Sequence, residues 1–239
     1  GIVKRLEFGN VIVDLGRTEA IIQKNEMIRR DMDNEAGARS DGLMIVSVIF
    51  IAAFTYIALT TNPVYTGVGV GDKVPELNGE IWDGQSWVEF DLYENLDFTW
   101  TKDSEDGTWY VIEFMDTNCG ACQKSAPDFV PQQSKWLEPG SRSMPPDMDV
   151  QFIAVAFSLN PDADGWIYSQ QEIKDFREEY DHIFPYMDDL DNSNRDVWGI
   201  DYTPQYFLVA PNGIIEYASP EAAGDSVWDA MESVIPRGD

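Results

Sequence analysis

The chain has 239 residues, and 43 Asp plus Glu against 16 Lys plus Arg give a formal net charge of −27 at pH 7. That balance excludes a generic nucleic-acid binder, whose footprint on phosphate has to be basic. With 44% hydrophobic and 13% aromatic residues, the chain is too apolar for an acidic disordered tail, so a folded domain is expected.

The charge is uneven along the chain. Residues 1–42 hold seven of the basic residues against eight acids, close to neutral, so nearly all of the negative charge lies beyond residue 42. At the boundary, Leu43 to Leu59 (LMIVSVIFIAAFTYIAL) is uncharged. A helix over 43–61 would span about 28 Å and has no polar face, which predicts a transmembrane anchor. Arg29, Arg30 and Arg39 precede it, and the next positive charge is Lys73, so the N-terminus is expected in the cytoplasm and the C-terminal part outside. An apolar stretch of seventeen residues exceeds the usual signal-peptide core, favouring an uncleaved anchor in the cell membrane. The expected organisation is therefore a cytoplasmic stub over 1–42, the anchor over 43–61, a linker over 62–70 and an extracytoplasmic domain over 71–239. The stub carries no functional expectation; Ile21, Ile22, Met27 and Ile28 suggest at most a weak amphipathic helix.

Within 71–239, apolar runs bounded by turn signals predict strands at Tyr110–Met115, Val150–Phe157, Tyr206–Val209 and Ile214–Tyr217, the last two joined as a hairpin across Pro211-Asn212-Gly213. Val74–Leu92 reads as a β-rich entry. Helices are expected over Cys119–Leu137, Ser169–Tyr180 and Glu221–Val234. The acidic stretches Asp103–Gly107 and Asp147–Asp149 read as surface insertions. A right-handed crossover makes the first two strands parallel, so the fold class is α/β, a central mixed sheet flanked by helices.

Both cysteines of the chain fall in Cys119-Gly120-Ala121-Cys122, directly after a strand and at the start of a helix. Two intervening residues on a first helical turn bring the sulfurs within bridging distance. The first sulfur then meets unsatisfied backbone N–H groups and the positive end of the helix dipole, which stabilises a thiolate. A bridge closing so small a loop restrains little chain entropy, which argues against a purely structural disulfide. A metal site would need further ligands, and the only other soft one is His182, in a Tyr-Asp-His-Ile-Phe stretch that reads as an exposed loop. Thiol–disulfide chemistry is the expectation, with no cofactor beyond the Cys119/Cys122 pair and no metal.

The run Val111–Cys122 (VIEFMDTNCGAC) resembles the active-site strand and motif of thioredoxin-fold proteins. From Gly71 onward the layout resembles the membrane-anchored TlpA/ResA-type thiol–disulfide oxidoreductases: Gly71-Asp72-Lys73-Val74-Pro75, Pro127 five residues after Cys122, Phe184-Pro185, and Trp198 to Pro204 before the strand YFLVAPNG. The resemblance covers about 165 of the 239 residues. It implies a thioredoxin-like fold, a cis Pro204, and a buried acid at Glu113 that exchanges protons with the second cysteine. Its implied partners are thiols and disulfides of exported proteins, fed by a membrane electron donor, with cytochrome c maturation as one task. Asn118 stands where Trp is usual, Ala121 where Pro is common, and Ser125 where ResA-type proteins carry an acid; these departures bear on potential and partner choice.

The residues support this reading independently. Glu113 lies in an otherwise apolar strand, where a carboxylate is costly without a task, and desolvation would raise its pKa into the range of a general base for Cys122. An X-Pro bond before a strand leaves the backbone of Thr203 free to pair with an extended substrate. The expected roles are Cys119 as nucleophile, Cys122 as resolving thiol and Glu113 as its base, with Thr203, Pro204, Gly120 and Ala121 contacting the substrate. Two alternatives share the fold. A Sco-like copper chaperone normally has three residues between its cysteines. A peroxiredoxin-like peroxidase needs Thr three residues before its cysteine, whereas Thr117 is two before Cys119. Asp outnumbers Glu 26 to 17 and Lys numbers only seven, a composition expected of a domain working in a saline exterior.

Overall fold

The computed structural model describes residues 2–23, 44–58, 64–138, 144–219, 224 and 226–237, in two compact units, 1–63 and 64–239.

In the first unit, β1 (Ile2–Glu7), β2 (Asn10–Asp14) and β3 (Glu19–Ile22) form an antiparallel sheet in that order. Phe8 and Gly9, at φ 49° and 86°, make the two-residue turn that sets Glu7 opposite Asn10; positive φ at both central positions matches the twist of the flanking strands. This corrects the expected weak helix, since Ile21 and Ile22 lie in β3 and residues 24–43 lie outside the described residues. The alternation that buries Ile12 alone in β2 carried the strand signal.

A helix, α1, covers residues 44–58 and is exposed throughout. Among the described residues no helix is long and apolar enough to cross a membrane. The transmembrane helix expected over 43–61 is thus not found; residues 43 and 59–61 of that expectation lie outside the described residues.

The second unit begins inside the expected linker, because Lys73 N–H donates to the Tyr65 carbonyl and Gly67 N–H to that of Lys73. Its elements are β4 (Asn78–Trp82), β5 (Trp87–Asp91), β6 (Asp106–Met115), α2 (Gly120–Ser125), α3 (Phe129–Trp136), β7 (Asp147–Phe157), α4 (Gln170–Glu179), β8 (Tyr186–Asp189), α5 (Ser193–Trp198), β9 (Gln205–Val209), β10 (Ile215–Ala218) and α6 (Val227–Val234). The sheet runs β10-β9-β6-β7-β8-β4-β5. Strands β6, β7 and β8 are parallel, while β9, β10, β4 and β5 pair antiparallel. This is the mixed, thioredoxin-like α/β sheet expected from the sequence.

The central strand β6 is buried on both faces. Trp109, Val111 and Met115 pack with Cys122, Phe129, Ile173 and Met231 under α2, α3, α4 and α6. Tyr110, Ile112 and Phe114 pack on the other side with Leu77, Leu92 and Trp198. That alternation puts Glu113 on the α2 face, which the sequence left undecided.

Three expectations are corrected here. The acidic stretches 103–107 and 147–149 are not wholly insertions: Asp106 and Gly107 open β6, pairing with Asp147 and Met148 of β7. The expected helix over Cys119–Leu137 is divided at Pro127 by a one-turn 3₁₀ segment, Ala126–Asp128, as a ring without a backbone N–H requires. Strand β8 and helix α5 were not expected at all. The cause is Asp189, which is buried and reads as loop. Its carboxylate accepts from the backbone N–H groups of Asn194 and Arg195 at 2.8 and 2.9 Å, serving the open N-terminus of α5.

The hairpin turn at 211–213 is as expected. Gly213 has φ 80°, and a Cβ there would sit 2.9 Å from Leu96 Cδ1, so only glycine meets both the conformation and the close approach.

Candidate active site

The site forms where β6 ends and α2 begins. Asp116, fully buried, organises this turn: Oδ1 accepts from Asn118 N–H at 2.7 Å, and Oδ2 accepts from Leu159 N–H and the Tyr168 hydroxyl, both at 2.8 Å. Asn118 makes a second latch, donating to the Ile167 carbonyl at 3.0 Å and accepting from its N–H at 3.4 Å. Both ends of the 159–168 loop are thereby held beside the cysteines. Replacing Asp116 by Ala strands three donors in or near the core and is expected to cost about 3 kcal/mol, read as a drop in urea midpoint; a loss under about 1 kcal/mol would mean that water replaces the carboxylate.

Cys119 is the N-cap of α2, with φ −76° and ψ 117°, and is half-buried; Gly120 and Ala121 are exposed; Cys122 is 1% exposed. Both cysteines are free thiols. Cys119 Sγ faces the Thr203 carbonyl at 3.8 Å, and the Thr203–Pro204 peptide bond is cis. The two thiols stand in opposite electrostatic settings. Partial burial works against a Cys119 thiolate, but the Thr203 side chain, the backbone N–H groups of Cys122 and Ala121 and the Cys122 thiol together outweigh it and hold its pKa below the usual thiol value. Burial pushes the Cys122 thiol far upward, and the nearby Glu113 carboxylate adds to that.

Glu113 is 3% exposed. Burial pushes its carboxyl up to about 8; the Tyr206 hydrogen bond opposes this, and the Cys119 charge adds to it. Tyr206 is its direct cross-strand partner in the β6–β9 register, and the phenol oxygen is within hydrogen-bond distance of Glu113 Oε1, at 3.0 Å. The same phenol oxygen lies 3.1 Å from Ser125 Oγ, and Ser125 donates to the Cys122 carbonyl at 3.1 Å.

All of the residues singled out in the sequence therefore converge: Cys119, Gly120, Ala121 and Cys122 on α2, Glu113 beneath them, Thr203 and Pro204 alongside. Tyr206 and Asp116 were missed. Pairing the strands Tyr110–Met115 and Tyr206–Val209 in register would have brought Tyr206 to Glu113; for Asp116 the sequence carried no signal beyond its place after the strand.

His182 is the clear correction. It is not on an exposed loop but 3% exposed, with Nε2 donating to the Ala126 carbonyl at 2.9 Å and Nδ1 accepting from the Tyr186 hydroxyl at 2.7 Å. A carbonyl can only accept, so Nε2 carries a proton, and burial, which disfavours the cation, leaves Nδ1 as the acceptor. Burial, the largest cause, lowers its pKa to about 4. The ring stacks on Phe184 at 4.7 Å; the alternation His182, Phe184, Tyr186 facing inward with Ile183 out is the period-2 signal hidden by the polar neighbours. With both nitrogens engaged, His182 has no free lone pair to offer a metal held by the cysteines.

No protein-family model matches the sequence, and no curated protein matches it. Solved structures do match the fold. An uncharacterised conserved protein from Geobacillus kaustophilus is 14% identical, with TM-score 0.51 over 73% of this chain and 87% of that one. The thioredoxin domain of a thiol-disulfide oxidoreductase from Bacteroides vulgatus is 15% identical, with TM-score 0.49 over 71% of this chain and all of that one. A thiol:disulfide interchange protein from a Bacteroides species is 17% identical, with TM-score 0.47 over 72% and 91%. At 14% identity, the likeness to the Geobacillus kaustophilus protein establishes a shared fold.

Proposed function

We propose that the chain is a thiol–disulfide oxidoreductase working through Cys119 and Cys122. The observation that carries this reading is the asymmetry of the pair: a half-exposed thiol with lowered pKa at a helix N-terminus, and a buried thiol with raised pKa beside an acid of pKa about 8. A structural disulfide or a symmetric metal clamp has no use for that difference.

In the reaction, the Cys119 thiolate attacks one sulfur of a substrate disulfide, the substrate S–S bond breaks, and one substrate thiolate leaves. The substrate backbone lies along Thr203 and Pro204, with exposed Gly120 and Ala121 at the contact. Glu113, as carboxylate, takes the Cys122 proton. The Cys122 thiolate then attacks Cys119 Sγ, releasing the second substrate thiolate and leaving an oxidised Cys119–Cys122 pair. The substrate gains two electrons and leaves as two thiolates, which take up one proton from Glu113 and one from water, the latter matching the proton Cys119 lost on ionising; the same steps reversed donate a disulfide.

The setting proposed for this chemistry is outside the cell membrane, on disulfides of exported proteins, cytochrome c assembly among them, with reducing equivalents from a membrane thiol carrier. Its support is the uncharged, wholly exposed helix α1, which favours apolar surroundings, and the concentration of negative charge beyond it.

Equilibrating the full chain in glutathione and dithiothreitol buffers tests the reading. A two-electron potential of about −250 mV or lower would mark a reductant, and one of about −120 mV a disulfide donor. Absence of any reversible two-electron couple would overturn the proposal.

A further inference from the structure

The hydroxyls above Glu113 form a line with a fixed count of protons. The Cys122 carbonyl can only accept, so Ser125 spends its one proton there. To keep its 3.1 Å contact with Tyr206, Ser125 Oγ must accept, which spends the one phenol proton. The Tyr206 oxygen can then keep its 3.0 Å contact with Glu113 only by accepting, which requires a protonated carboxyl. With Glu113 neutral, all three contacts are hydrogen bonds. With Glu113 ionised, the phenol must turn to the carboxylate, and, with Ser125 still donating to the Cys122 carbonyl, the bond between phenol and Ser125 is given up.

From this geometry we infer that Tyr206 and Ser125 are positioning residues that set the protonation of Glu113 in opposite directions, the phenol holding the carboxylate and the serine hydroxyl drawing the phenol away to favour the acid. The inference rests on the reading of Glu113 as the base for Cys122. When Glu113 takes the Cys122 proton, the phenol proton swings back to Ser125; when it releases that proton, the phenol returns. The only proton exchanged is the one that passes between Cys122 and Glu113; within the line the phenol turns while Ser125 stays on the Cys122 carbonyl. Because the line ends on the carbonyl of the resolving cysteine, its direction is tied to the residue whose thiol Glu113 serves.

The other groups facing Glu113 are few. Cys119 and Cys122 face it from α2, Tyr206 from β9, and Tyr186, whose hydroxyl is taken up by His182, from β8. None of these offers the acid a cation. Hydroxyl orientation is accordingly the means this site has of tuning its base, in a place where Ser125 replaces the second acid of the family it resembles.

The test is a ¹³C carboxyl titration by NMR on the full chain in detergent, with Glu113→Gln identifying the signal. Tyr206→Phe keeps the ring against Phe129, 6.0 Å between centroids, and removes only the hydroxyl; it is expected to raise the Glu113 midpoint by about one pH unit, since charge-assisted hydrogen bonds are the stronger ones. Ser125→Ala frees the phenol proton for the carboxylate and is expected to lower the midpoint by about half a unit. The double variant should match Tyr206→Phe alone, because Ser125 acts only through the phenol. Shifts of the same sign, no shift in either variant, or an additive double variant would overturn the inference. The signal comes from the carboxyl itself, so it reports on this line even if the cysteine pair proves redox-inactive, and a normal redox couple with no such shifts would remove this inference while leaving the proposed function standing.

Discussion

Cys122→Ser chain mixed with a disulfide-bonded peptide is expected to accumulate a stable mixed disulfide through Cys119, whereas Cys119→Ser is expected to lose exchange down to the background rate, a fall of at least about a thousandfold. The difference follows from where the sulfurs sit. Cys119 is half-exposed, with its thiolate held by the first backbone N–H groups of α2, so it meets the substrate and reacts below the usual thiol pH range. Cys122 is buried, with a raised pKa; it reacts only with a sulfur delivered to it, namely Cys119 in the mixed disulfide. Alkylation by iodoacetamide of the reduced chain, followed by peptide mapping, checks the same asymmetry: label should enter Cys119 first and persist as pH falls. Equal labelling of the two thiols would remove the basis for assigning nucleophile and resolving roles.

Glu113→Gln is expected to stabilise the second unit by about 3 kcal/mol at pH 7 while slowing resolution of the mixed disulfide. The sign follows from an acid whose folded pKa, about 8, lies above its ordinary 4.5. Below pH 4.5 the carboxyl is neutral in both states and its contribution is fully present. As pH rises from 4.5 towards 8, the unfolded chain loses the proton while the folded chain keeps it, and stability is lost. Glutamine keeps an acceptor for the Tyr206 hydroxyl and never ionises, so the variant should match the parent near pH 4 and diverge upward. His182 works in the opposite window. Its pKa falls from 6.5 to about 4, so its contribution is complete above pH 6.5 and declines as pH drops towards 4, in parent and variant alike. Urea unfolding at several pH values resolves the two, because subtracting parent from variant cancels the histidine and the large overall negative charge. A parent and variant of equal stability at pH 8 would show that Glu113 is ionised there without penalty.

The parts of this fold that could be read from the sequence are those where apolar burial dictates a simple period. Val111 to Met115 and Phe152 to Phe157, buried on both faces, read as central strands because nothing polar interrupts them but Glu113. Cys119 and Cys122 were legible because their spacing has few other chemical uses. What was hidden depended on polar groups that are buried but satisfied. Asp189 reads as loop and instead caps α5. His182 reads as surface and instead bridges Tyr186 to the carbonyl of Ala126. Asp116 looks like one more acid in an acidic chain, yet it ties the cysteine turn to residues 159 and 168. For Asp116 and for the Ala126 side of His182 the partner lies more than forty residues away, beyond the reach of any local pattern; for Asp189 the partners are only five and six residues on, but they are backbone N–H groups, which no residue type announces.

The pairing of Glu113 with Tyr206 in the β6–β9 register also bears on how fast the site can turn over. Strand register is shared by every rung of the ladder, so the acid and its phenol cannot drift apart when the sulfurs bond or separate. The motion demanded by each exchange is then confined to sulfur torsions on α2 and to rotation of a hydroxyl whose oxygen stays in place. A centre so mounted has a small reorganisation energy, and its exchange rates with different partners should follow the difference in their redox potentials more closely than the bulk of the partner protein.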